Sequence, residues 1–225
     1  MDWAAIEADL NEHGCAVLPQ LLDPDQCGAL RELYPRDELF RSRIVMARHG
    51  FGRGEYKYFA YPLPQTVEEL RAALYPGLAG IANGWNESLG VSVRYPPAHG
   101  GYLKLCHDAG QILPTPLLLA YGPGDYNCLH QDLYGELAFP LQVAVLLSAA
   151  GDFTGGEFVL VEQRPRRQSR VEVVPLGQGD GVIFPVNHRP ARGPRGTYRV
   201  TMRHGVSRLR SGQRHTLGII FHDAQ

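Results

Sequence analysis

The sequence predicts an α+β chain that is mainly β, with a double-stranded β-helix (jelly-roll) core and N-terminal supporting helices. Three observations carry this. After Leu117 the chain divides into apolar runs of five to ten residues, LLLAY, PLQVAVLLS, EFVLVEQ, VEVVPL, VIFPV, TYRVTMRHGV and TLGIIF, as an antiparallel double sheet requires. The segments between them, GPGDYN, GDFTGG and GQGDG, are glycine-rich turns. Helical spacing of apolar residues is confined to the front of the chain.

In order, Trp3, Ile6 and Leu10 fall at helical spacing and predict a first amphipathic helix over residues 2–13. CAVLPQLL, from Cys15 to Leu22, reads as a short strand or extended entry. Asp23 followed by Pro24 is an N-cap with proline at the first helical position, and the helix it opens runs through Leu30 and Leu33 to Pro35. Thr66 with Glu69 three residues on is a capping box that starts a helix to Leu74, and a further helix spans Leu78 to Leu89. Pro96, Pro97, Gly100 and Gly101 then break the pattern. Between Phe40 and Pro64 the chain mixes glycines, arginines and the aromatics Phe51, Tyr56, Tyr58, Phe59 and Tyr61. Two readings stand: a lid over residues 41–63 whose Arg and aromatic side chains stack on bases, or an edge hairpin whose aromatics fill core.

At 225 residues, 44% hydrophobic and 20% charged, the chain is expected to be one soluble domain. Within 1–225, residues 1–95 form the helical support with the candidate lid and residues 112–222 the jelly-roll core. No apolar run nears the ~20 residues of a membrane span, and MDWAAIEADL lacks the basic and apolar regions of a signal peptide, so a cytoplasmic protein is expected. Four scattered cysteines (Cys15, Cys27, Cys106, Cys128) suit free thiols in a reducing compartment. The near-neutral total of −1 hides an asymmetry: residues 163–214 hold twelve arginines against Glu172 and Asp180, net +10, and leave −11 for the rest. Such a stripe attracts nucleic acid through its phosphates, unless its arginines pair with the acidic N-terminal half.

The chemistry centres on LLLAYGPGDYNCLHQDLYGE, residues 117–136. Alternate residues of a strand share a face, so His130 and Asp132 point the same way with Gln131 opposite. An imidazole and a carboxylate are two of the three ligands of a mononuclear Fe(II) site, which needs a second histidine. Of the eight other histidines, His188 and His204 fall in the strand-rich part before the final strand. His188 reads as lying in a loop, NHRPARGPRG. His204 ends a strand and is the better-held third ligand. Ten residues on, Arg214 enters the last apolar strand, where a buried guanidinium needs an anion. If the site takes a dicarboxylate, Arg214 meets its distal carboxylate and Tyr121, nine residues before His130, donates its hydroxyl to the same ligand. A rival set is a structural zinc site of Cys106, His107, Cys128 and His130.

YGPGDYNCLHQD is similar to the matching element of the AlkB-type nucleic-acid demethylases, and LLSAAGDFTGGEFVLVE, GDGVIFPV and HGVSRLRSGQR resemble the prolyl-hydroxylase branch of the same 2-oxoglutarate/Fe(II)-dependent dioxygenase superfamily. GEYKYF, HQDLYGE, FPLQ, GGEFVLVEQRPRRQSR and RHTLGIIFHDA extend the resemblance over nearly the whole chain to the prokaryotic Oxygenase-NA family, which is predicted to demethylate damaged nucleic acid oxidatively. The resemblance implies iron ligands His130, Asp132 and His204, a 2-oxoglutarate salt bridge from Arg214, a hydrogen bond from Tyr121, the cofactors Fe(II) and 2-oxoglutarate, and dioxygen as cosubstrate. Three positions depart from the AlkB pattern: Leu119 stands for an Asn, Tyr134 for an acid and Ile220 for an Arg. Three functions stand as expectations: oxidative demethylation of alkylated nucleic acid, hydroxylation of a peptide or amino acid, and a non-catalytic metal-binding module.

Overall fold

The computed structural model describes residues 1–133, 135–194 and 196–225. Tyr134, compared above with an acidic position, and Arg195 of the arginine run lie outside the described residues. The helices are α1 (Trp3–Glu12), α2 (Pro24–Glu32), α3 (Gln65–Ser88) and α4 (His99–Asp108). The first six strands are β1 (Ala16–Leu18), β2 (Phe40–Val45), β3 (Gly52–Arg53), β4 (Glu55–Phe59), β5 (Leu117–Tyr121) and β6 (Tyr126–His130). Then come β7 (Leu141–Leu146), β8 (Phe153–Gly155), β9 (Phe158–Gln163), β10 (Arg170–Val174) and β11 (Gly181–Pro185). The last four are β12 (His188–Gly193), β13 (Gly196–Val206), β14 (Leu209–Gly212) and β15 (Arg214–Ile219).

The first two helices start where local chemistry predicts. Asp2 accepts from the Ala5 N–H, and Asp23 with Gln26 forms a full capping box ahead of Pro24. The next expectation needs correction. The two helices expected on either side of Pro76 are one, α3, and its N-cap is Pro64 without any side-chain cap, while Glu69 accepts instead from Gln65 Nε2 at 2.7 Å. An interior proline costs ~3 kcal/mol. The buried stripe Leu74, Tyr75, Leu78, Ile81 and Trp85 outweighs it, at ~1.5–3 kcal/mol for each large side chain removed from water. The expected break at Gly100 and Gly101 is likewise the first turn of α4, held by burial of His99, Tyr102 and Cys106.

Among the described residues the strands pair antiparallel, in a seven-stranded sheet ordered β1-β11-β7-β15-β5-β4-β2 and a second ordered β10-β9-β13-β6-β3, with β12 on β13. One face of the larger sheet, through Leu118, Leu141, Val143, Val145, Leu217 and Ile219, packs on the helices in a single core. Its other face meets the second sheet, where Ala144, Val182 and Phe184 pack on Phe158, Leu160, Val200 and Met202. The central strands β7 and β11, buried on both faces, are accordingly continuous apolar runs.

Three strands exceed expectation. NHRPARGPRG is not a loop, since its front half is β12; Pro190 is tolerated there because β12 pairs only with β13. The turns around GDFTGG and after His204 supply β8 and β14, which form a two-stranded pair. Residues 40–59 form the edge hairpin of the larger sheet, with Phe40 stacked on Phe59 at 4.8 Å. The hairpin's tip carries β3, which crosses to pair with β6 of the second sheet.

The arginine stripe is partly consumed in structure. Arg189 is buried against Glu162, which also accepts from Arg164 at 2.5 Å and faces Arg170 at 3.7 Å. The expected pairing with acids of the N-terminal half is not what holds these arginines: Arg189 and Arg170 reach backbone oxygens of Asn11 and His13. Arg166, Arg167, Arg192, Arg199, Arg203, Arg208 and Arg210 stay exposed. No described helix is long and apolar enough to cross a membrane.

Where α1 crosses α3 the chains touch through Trp3 and Gly77, at which a Cβ would come within 2.1 Å of the indole. Helix propensity favours alanine over glycine by ~1 kcal/mol, and Gly80→Ala, with nothing within 4 Å, should gain about that. Gly77→Ala should instead lose ~1–3 kcal/mol to overpacking. Urea midpoints of the two variants moving the same way would contradict the contact.

Candidate metal centre and its cavity

His130 ends β6 and His204 stands directly across from it on β13. The register shifts between His204 and Val206, and Gly205 makes this approach feasible, because a Cβ there would lie 2.7 Å from the Asn127 carbonyl oxygen. The two imidazole centroids are 4.2 Å apart. Asp132 lies two residues beyond the end of β6 and places Oδ1 3.3 Å from His130 Nε2 and Oδ2 3.3 Å from His204 Nε2. Gln131 turns away and donates to the carbonyls of Asn187 and Met202, tying the segment to β13. His188, the alternative third ligand, opens β12 and is not brought to this cluster among the described residues. Nor are Cys106, His107 and Cys128: Cys106 is core, His107 pairs with Asp223 and Cys128 is exposed.

Electrostatics prepare the three groups for a cation. Burial works to raise the Asp132 carboxyl, but His130 and His204 outweigh it and hold its pKa well below the carboxylate range. Burial pushes the His204 pKa down, partly offset by Asp132, so its imidazole is neutral at pH 7. For His130, burial works to lower the pKa and is outweighed by Asp132, which raises it. His130 Nδ1 is 2.7 Å from the Cys128 carbonyl oxygen; with the proton on Nδ1, the Nε2 lone pair is directed at the cluster. The three donor atoms lie within 4.8 Å of one another, two imidazole nitrogens and a carboxylate oxygen, and fit one divalent ion with open positions left over.

The cluster opens on a cavity of about 230 Å³ between the sheets. Its walls include Tyr56, Tyr58, Leu117, Leu119, Phe158, Phe184, Val206 and Ile220. At its far end Arg214, at the start of β15, faces Tyr121 across the ladder. Arg214 is 2% exposed, donates to Thr216 Oγ1 at 2.6 Å and has no carboxylate within ion-pair reach among the described residues. Burial lowers its pKa. The Tyr121 hydroxyl is buried with no hydrogen bond of sound geometry, Asn127 being its polar neighbour, and burial pushes its pKa to about 12. A cation lacking an acid and a hydroxyl lacking an acceptor, both on one cavity, fit the carboxylate of a small dianion.

Sequence reasoning passed over Gln142, which donates from Nε2 to Asp132 Oδ2 at 2.7 Å, and Thr216. The signal for Gln142 was present as a single amide within the apolar run PLQVAVLLS.

The Oxygenase-NA family model, described as an oxygenase catalysing oxidative methylation of damaged DNA, matches residues 54–224. Two proteins of Mycobacterium tuberculosis, the uncharacterized proteins MT2286 (strain CDC 1551 / Oshkosh) and Rv2227 (strain ATCC 25618 / H37Rv), are each 51% identical over 167 residues, covering 74% of this chain and 72% of theirs. Among solved structures, a Pseudomonas putida prolyl-4-hydroxylase is similar at a TM-score of 0.57 and 16% identity, over 99% of either chain. A Burkholderia pseudomallei oxidoreductase of the 2OG-Fe(II) oxygenase family is similar at 0.58 and 16%, over 100% of this chain and 93% of its own. The epimerase SnoN of nogalamycin biosynthesis is similar at 0.58 and 14%, over 97% and 81%.

Proposed function

The chain belongs to the Oxygenase-NA family and has the fold of the Fe(II)- and 2-oxoglutarate-dependent oxygenases, and from that premise we propose that it hydroxylates the N-alkyl carbon of a damaged nucleic-acid base. Fe(II) and 2-oxoglutarate are its cofactors and dioxygen its cosubstrate. The observation that carries the reading is the His130, Asp132, His204 cluster with Arg214, which has no ion pair among the described residues, on the same cavity. We read the two facing sheets as the double-stranded β-helix of one domain over residues 1–225.

In this reading His130, Asp132 and His204 would hold the iron, and Arg214 with Tyr121 would bind the distal carboxylate of 2-oxoglutarate. When bound, the iron couples oxidative decarboxylation of 2-oxoglutarate, to succinate and carbon dioxide, to hydroxylation of a substrate C–H bond. The chain's own residues bind, orient and exclude water. Asp132 and neutral His204 supply one charge and one lone pair, the Cys128 carbonyl fixes the His130 tautomer, and the apolar walls keep solvent from the reacting carbon. A hydroxylated N-methyl group then leaves as formaldehyde and restores the N–H of the base.

Two surface features support nucleic acid. Phe51, 48% exposed at the cavity wall, stacks on His49 and offers a face to a planar base. Arg53, exposed on β3 two residues from Phe51, can meet phosphate beside it. One observation favours the second reading, hydroxylation of a peptide or amino acid: among the described lining residues Asp132 is the only acid, so nothing else there pairs with a cationic alkylated base. The test is succinate release by the Fe(II)-loaded protein with 2-oxoglutarate and methylated single-stranded oligonucleotides. Stimulation by a methylated strand over its unmethylated twin is expected. Unstimulated turnover would favour the second reading, and no succinate under any condition would overturn the oxygenase.

A further inference from the structure

Asp132 differs from its two neighbours in how it is held. His130 and His204 are fixed by the β6–β13 ladder, whereas Asp132 lies beyond the end of β6 on non-ladder backbone. A carboxylate on such a segment turns freely about its side-chain torsions unless something outside the segment holds it. Gln142 does so from the second position of β7, a central strand paired on both sides. It is 4% exposed among Leu, Val and Ala, its Nε2 donates to Asp132 Oδ2 at 2.7 Å, and the same nitrogen stands 3.3 Å from His204 Nε2. A carboxylate only accepts, so the nitrogen of the amide must be the atom that faces it. The oxygen of that amide, Oε1, is then directed elsewhere, and it is buried without a hydrogen-bond donor. Packing alone would be served better by Leu or Met, because an amide half satisfied in an apolar strand carries a desolvation cost.

We propose that Gln142 is a positioning residue for the metal carboxylate, setting the plane of Asp132 between the two imidazoles through Nε2 and offering Oε1 as an acceptor to an N–H or O–H brought into the cavity. The inference rests on the reading of His130, Asp132 and His204 as metal ligands. It makes the rigid sheet an element that sets how the carboxylate meets a cation.

Cobalt(II) reports on this without turnover, through its visible absorption and its affinity. The wild-type protein, titrated with Co(II) alone, is expected to give a saturable band. Gln142→Met preserves length and volume and removes both hydrogen-bonding atoms; it should bind Co(II) roughly 10- to 100-fold more weakly and shift the band. Gln142→Leu serves in the same way should the methionine variant not fold. A merely structural glutamine would change the thermal midpoint and leave affinity and spectrum as they were, and that result in a folded variant would overturn the proposal. Wild-type protein that takes up no Co(II) would overturn the ligand reading beneath it as well, so the two failures are distinguishable.

Discussion

Asp132→Asn is expected to abolish succinate formation from 2-oxoglutarate while the protein stays folded. The substitution keeps the shape of the side chain and removes its charge, which is the only negative charge in the cluster. Oδ1 and Oδ2 each sit 3.3 Å from an imidazole nitrogen, so an amide here presents a donor to one of two groups that must offer lone pairs to the metal. The loss should exceed the ~10- to 100-fold that outer-shell changes cost, since a direct ligand is gone. Stability should move far less, because the carboxylate is also a buried anion that the fold must compensate. Succinate assay and a urea transition on the same preparation decide it: wild-type turnover in the variant would remove Asp132 from the metal site.

Much of this cluster is legible in the chain itself. His130 and Asp132 were legible because ligand chemistry and a period of two point the same way, although Asp132 reaches its place from a loop rather than from the strand itself. His204 does come to His130 and Asp132, but the contrast of strand end with loop is not the reason: β13 runs on to Val206 and His188 begins a strand of its own, so it is the pairing of β13 with β6 that selects His204. What escaped depends on contacts distant in sequence. The continuity of α3 through Pro76 is decided by the core it covers, and α4 forms despite two glycines for the same reason. β12 hides behind prolines and arginines that an edge strand tolerates and an isolated peptide would not order. The arginine run looked like one surface, yet Arg189 and Arg214 are interior, one paired with Glu162 and the other facing a cavity. Gln142 carries no signature beyond its polarity, since its partner is ten residues upstream in a segment of no regular structure.

Arg214→Met should raise the KM for 2-oxoglutarate by on the order of 100-fold, the equivalent of ~3 kcal/mol, and should leave metal binding intact. A guanidinium 2% exposed, with Thr216 Oγ1 as its hydrogen-bond acceptor at 2.6 Å and the rings of Tyr121 and Phe153 5.8 and 5.9 Å away, has been taken out of water with no ion pair among the described residues, Glu157 acting on it only from a distance. The ligand-free fold therefore bears a desolvation cost that a bound carboxylate would offset. Methionine fills the space without the charge, so the ligand-free variant should be more stable than wild type by ~1–3 kcal/mol. The same variant should lose the thermal shift that 2-oxoglutarate gives the wild type, since binding stabilises only by its affinity for the native state. Arg214→Lys keeps the charge and loses the fork, and belongs between the two. Opposite signs in one substitution, a firmer ligand-free fold and a weaker cosubstrate, are what a binding arginine predicts; a structural arginine predicts destabilisation and an unchanged KM, and urea midpoints measured beside initial rates separate them.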